Sequence, residues 1–70
     1  MKKNFATAHE IAAEPDLYNK VWIVGKYTLE CSGYSKTGNT VRFTDLVPTE
    51  DHKLMLIVKY IHPDKVLQEA

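Results

Sequence analysis

Three apolar stretches set the pattern of the chain: Val21 to Leu29, Thr40 to Leu46 and Lys53 to Ile61. In an extended chain, Val21, Ile23, Gly25, Tyr27, Leu29 and Cys31 share one face and Trp22, Val24, Lys26, Thr28 and Glu30 the other. The second face starts apolar and turns polar, which predicts a strand covered on both sides at its start and on one side at its end. Gly25 sits inside that run, where glycine marks a bulge, a sharp bend or the close approach of another backbone. The second stretch alternates, with Val41 and Phe43 against Thr40, Arg42 and Thr44, the mark of a half-buried strand. The third is apolar on both faces and is expected at the centre of the sheet, with short helices over one side. The pattern predicts three antiparallel strands over 21–30, 40–46 and 53–61. The polar loop Ser32 to Asn39 makes the first two a hairpin, and pairing of the second stops at Pro48, which has no amide proton to donate.

The flanks read as helical. Thr7-Ala8-His9-Glu10 has capping-box form, a hydroxyl and a carboxylate three residues apart that satisfy each other's free backbone amides. It predicts a helix over 7–14, ended by Pro15, with a short turn pinned by Leu17 and Tyr18. Pro63 at a first helical position predicts a second helix over 63–69. Residues 1–4 are polar and expected to fray. The fold class is α+β: one small domain over 1–70, a three-stranded antiparallel meander with a short helix at each end.

Composition narrows the function more than it identifies it. Seventy residues make one domain with a modest core. Nine Lys and Arg balance nine Asp and Glu, whereas nucleic-acid binders usually carry a positive excess. Cys31 is the sole cysteine, so no internal disulfide can form; it reads as a small buried hydrophobe and suits a reducing compartment, or a soluble piece of a larger exported protein. No run reaches the length of a membrane span, and His9 and Glu10 interrupt what would be a signal-peptide core.

Val24-Gly25-Lys26, Val41-Arg42-Phe43-Thr44-Asp45 and Leu54 to Tyr60 together resemble the first three strands of an OB fold: a coiled strand 1, a strand 2 ending in an aromatic before an acidic residue, and a strand 3. Ala6-Thr7-Ala8-His9-Glu10-Ile11 and Val58-Lys59-Tyr60-Ile61-His62-Pro63-Asp64 resemble, within that superfold, the periplasmic haem chaperone of cytochrome c maturation. The likeness spans roughly residues 5–67; that family usually has a glycine and a longer spacer where Ile61-His62 stand. The resemblance implies an OB-like partial barrel and a periplasmic location, and a complete chain without it would be cytoplasmic; no cofactor is expected, haem being the one the family would bring, through a segment these residues lack. In the family, the haem-binding histidine lies beyond the last barrel strand, and strands 4 and 5 would follow Ala70. A three-stranded sheet has two bare edges, so a protein partner or a second copy pairing there is expected.

No catalytic constellation stands out. His9, His52 and His62 share no metal-ligand spacing, and Glu50-Asp51 reads as a solvated loop tip. The loop Gly33 to Gly38 has a Lys-Thr pair without phosphate-loop spacing. The remaining set is aromatic and basic: Trp22, Tyr27, Tyr34, Lys36, Arg42, Phe43 and Tyr60. Its bland reading is core for Trp22, Tyr27, Phe43 and Tyr60, with Tyr34 an ordinary loop aromatic. Its functional reading is stacking rings beside cations. The expected function is a small non-enzymatic binding or adaptor module working by protein–protein contact, in its family version haem-chaperone-like. The alternative is a single-stranded nucleic-acid binder. Tyr34, Lys36, Arg42, Tyr60 and His62 are the expected contact residues.

Overall fold

The computed structural model describes residues 4–70. They form one antiparallel sheet of six strands with two short helices packed on one face. The strands are β1 (Phe5–Thr7), β2 (Val21–Val24), β3 (Tyr27–Tyr34), β4 (Val41–Pro48), β5 (Leu54–Ile61) and β6 (Val66–Glu69); the helices are α1 (Ala8–Ala13) and α2 (Pro15–Tyr18). The sheet order is β1-β6-β2-β3-β4-β5, so β6 lies between β1 and β2, and β1 and β5 are the edges. The α+β class is as the pattern predicts; the strand count is six rather than three.

The local signals came through. Thr7 caps α1, its Oγ1 accepting from the Glu10 amide at 3.2 Å while Glu10 Oε1 accepts from the Thr7 amide at 3.1 Å. Pro15 opens the four residues of α2. Of residues 1–4, expected to fray, the first three lie outside the described residues; the Asn4 carbonyl accepts from the Glu69 amide at 2.8 Å.

The predicted strand over 21–30 is a hairpin. Gly25 and Lys26 are the two residues of its turn, and only Gly25 has a positive φ, 61°. A positive φ at the first central residue alone is the type II′ form, whose twist suits paired strands. The turn sets Trp22 opposite Leu29 and Val24 opposite Tyr27, which gathers Trp22, Val24, Leu29 and Cys31 into the core. An apolar face that turns polar along the run is thus the signature of a chain that reverses. Nothing lies within 4 Å of a Cβ added at Gly25, so Gly25→Ala costs only the backbone strain, about 1–2 kcal/mol. A loss below about 0.5 kcal/mol in urea denaturation would show that the turn has no need of glycine.

The predicted C-terminal helix over 63–69 is a turn followed by β6. The Lys65 amide donates to the His62 carbonyl at 3.0 Å, and β6 then pairs with β1 through Leu67↔Ala6 and with β2 through Gln68↔Ile23. Two flanking strands offer a ladder that outweighs the helix-start preference of Pro63.

The third predicted strand, β5, is an edge rather than a centre. Eight register pairs hold it to β4, from Val41↔Ile61 to Pro48↔Leu54, so Pro48 ends the ladder as its last member. Ile57 is buried and Ile61 partly so, whereas Leu54 is 67%, Leu56 55% and Met55 46% exposed. The helices cover the other end of the sheet. Their cover makes the core: Ile11 and Leu17 from the helices, Trp22, Leu29, Val41 and Phe43 from the strands. Trp22 is fully buried, and its Nε1 donates to the Leu17 carbonyl at 3.0 Å, tying α2 to the sheet.

Candidate functional site

An open cleft of about 380 Å³ lies where β3, β4 and β5 meet the loop between β3 and β4. Tyr34, Ser35, Lys36, Thr37, Thr40, Arg42 and Tyr60 line it. It is built by register. Arg42 of β4 stands directly opposite Tyr60 of β5, and opposite residues of an antiparallel pair share a face. That face is the one the helices leave bare, because Val41 and Phe43, which alternate with Arg42, point into the core.

A bulge shapes the other wall. Cys31 pairs with Phe43, but the next pair is Tyr34 with Val41, so Ser32 and Gly33 together oppose Arg42. Gly33 takes φ 96°, and Ser32 Oγ donates to the Arg42 carbonyl at 3.2 Å. One extra residue turns every later side chain to the opposite face. Tyr34 is therefore directed to the helix side of the sheet, where its hydroxyl sits 2.6 Å from Nδ1 of His9 on α1. The loop beyond it is internally braced. Ser35 N donates to Thr40 O and Gly38 N to Ser35 O, both at 2.9 Å, and the Ser35 and Thr37 hydroxyls are 3.1 Å apart. Lys36 is exposed on this loop.

The cleft is electrostatically lopsided. Its lining has two cations, Lys36 and Arg42, and no carboxylate. Among the described residues neither cation has an acidic partner, and Arg42 Nε is buried without a hydrogen bond. A donor left buried and unpaired carries a desolvation cost. Tyr60 is 59% exposed beside it.

Tyr34, Lys36, Arg42 and Tyr60 all line one cleft, Tyr34 at its rim with its hydroxyl turned away to His9, and His62 does not line it. His62 is in the β5–β6 turn, accepting at Nδ1 from the Asp64 amide at 3.1 Å. Sequence reasoning missed Ser35, Thr37 and Thr40, whose hydroxyls join the lining only through the loop's folding. Among the described residues no group of three or more His, Cys, Asp or Glu is placed to hold a metal, and no helix is long and apolar enough to cross a membrane. The described residues do not fit haem. The cleft has no histidine, and the His62 side chain is 73% exposed on a turn, away from the apolar core that a macrocycle would need.

Cys31 belongs to the core at 5% exposure, and burial pushes its thiol up from the ordinary value of 9.0 despite a backbone hydrogen bond from Gly33 that acts the other way. A raised folded value means that the unfolded chain loses its thiol proton first. The thiol's contribution is thus fully present below pH 9.0 and is lost as pH rises through the folded value. Native protein should react slowly with a thiol reagent at pH 8 and quickly in denaturant. Stability should also fall more steeply above pH 9 in wild type than in Cys31→Ala, as read by urea midpoints; equal slopes would show that the thiol is not desolvated.

Compared with known proteins, the chain matches no family model, no curated protein and no solved structure.

Proposed function

We propose that this protein is a non-enzymatic binding module that works by protein–protein contact through the bare edge of β5, with a second copy of the chain as partner. The observation that supports it is the exposure of an eight-residue, almost uncharged strand at the end of the sheet. Natural edge strands are usually short, bulged, charged or covered, because unpaired backbone groups recruit other strands. β1, the opposite edge, is three residues long and follows that rule; β5 does not.

The sequence of β5 suits pairing with itself. In an antiparallel register centred on Ile57, Leu54 meets Tyr60, Met55 meets Lys59 and Leu56 meets Val58 of the second copy. Each pair stays on one face, and Lys59, the strand's only charge, meets a methionine rather than another lysine. The helices lie at the far end of the sheet and leave the approach open. Light scattering on eluting protein from about 1 to 500 μM tests this over the affinity range of weak homodimers. A mass that rises from monomer to dimer, with NMR lines of β5 broadening selectively, is expected. A strict monomer throughout would refute it.

A further inference from the structure

We infer that the Arg42–Tyr60 cleft, which shares only Tyr60 with the β5 edge, is a ligand site for a nucleotide, a planar base carrying a phosphate. Three observations converge on that chemistry. The lining has two cations without a carboxylate, so it attracts an anion. Arg42 lines the cleft without an acidic partner among the described residues, and its guanidinium offers several N–H donors in one plane, the geometry that phosphate oxygens fill. The exposed ring of Tyr60 stands opposite Arg42 on the same face, so one ligand can touch both. A bare phosphate would use the cations and leave the ring in water, and so would an acidic peptide. A base stacked on Tyr60 with its phosphate at Arg42 and Lys36 uses both halves. Ser35, Thr37 and Thr40 line the same space, and residues of this type can supply donors and acceptors for the sugar or base edge. At about 380 Å³ the cleft falls within the usual range of small-ligand sites, roughly 300–1,000 Å³. The chain carries no overall positive excess, which disfavours a long tract, so the site is assigned a single nucleotide unit.

The source of that unit is a free nucleotide or one residue of a single strand, and binding assays separate them. AMP and a fluorescent eight-residue oligothymidylate are titrated against the full chain. Similar affinity for both identifies the free nucleotide; an oligonucleotide more than about tenfold tighter identifies the strand, and either result supports the site. A strand that sets one backbone phosphate on each of the two cations should bind about 7-fold more weakly at 200 than at 50 mM salt. Arg42→Met keeps the half-buried stem and should halve the logarithmic salt slope. Tyr60→Ala should weaken binding about 5- to 150-fold, the usual loss for one stacked base. Lys36→Gln changes only an exposed loop residue, so its loss of binding cannot be a folding defect. Lys26→Gln removes the same charge at the β2–β3 turn, the opposite end of β3, and should bind as wild type. The inference fails if neither probe binds, if tripolyphosphate or hexaglutamate binds as tightly as the nucleotides, or if Arg42→Met and Tyr60→Ala bind as wild type. Lys36→Gln and Arg42→Met leave the β5 edge intact, so failure here and failure of dimerisation are read independently.

Discussion

Trp22→Ala should leave the chain unfolded at room temperature. Trp22 is the largest fully buried side chain, at the meeting of α2, β2 and β3. Truncating a buried tryptophan to alanine typically costs about 3–5 kcal/mol, the lost burial plus an unfilled cavity. It also removes one of the two hydrogen bonds to the Leu17 carbonyl, that from Trp22 Nε1 at 3.0 Å, leaving the one from the Lys20 amide at 3.2 Å. A 70-residue domain with no disulfide has on the order of 3–5 kcal/mol in total, so the loss matches the whole margin. Trp22→Phe keeps a ring in place and should stay folded with a lower midpoint. Far-ultraviolet circular dichroism and amide proton dispersion decide the matter. If Trp22→Ala melts cooperatively within about 5 °C of wild type, a loss near 1 kcal/mol, then α2 is not held by this residue.

Leu54→Lys with Leu56→Lys should behave in the opposite way, sparing the fold and abolishing self-association. Both leucines are more than half exposed on the helix-free face of the edge strand, so the monomer loses little, within about 0.5 kcal/mol. In the proposed β5–β5 register, Leu54 would pack against Tyr60 and Leu56 against Val58 of the second copy. Replacing four such leucines per dimer by hydrated ammonium groups removes at least about 2 kcal/mol of apolar contact, roughly a 30-fold weaker dimer. Light scattering and denaturant midpoints measured together give the two numbers. Unchanged dimerisation would place the contact elsewhere, and an unfolded variant would show that these residues belong to the core.

What the sequence revealed was local. The capping box at Thr7 and Glu10 is written within four residues, and the helix is there. The alternation of Val41 and Phe43 is a property of one strand, and it held. What escaped depends on pairs distant in sequence. The Gly25-Lys26 turn is hidden because apolar residues continue on both sides of it, and only the change of buried parity betrays it. β6 looks like a helix start because Pro63 is read without its partners; β1 and β2 decide its conformation. β5 is apolar on both faces, which signals a central strand only when something covers it, and here the helices end too soon. For the cleft, the residue types were legible and their meeting was not. Arg42 faces Tyr60 because of the β4–β5 register, and Tyr34 is turned toward His9 by one extra residue in β3.

The placing of β6 has a consequence for how the chain is made. Synthesis runs from the amino end, yet the strand that joins β1 to the rest is the last of the six to leave the ribosome. Until residues 66–69 emerge, β1 has no neighbour and one side of β2 is bare. The meander from β2 to β5 can form as it is produced, because each of its pairings joins strands adjacent in sequence. Closure of the other half must wait, and it joins residues more than sixty positions apart, such as Phe5 and Gln68. During that interval the nascent chain shows two sticky edges, β2 and β5, instead of the single long one it keeps once β6 has paired.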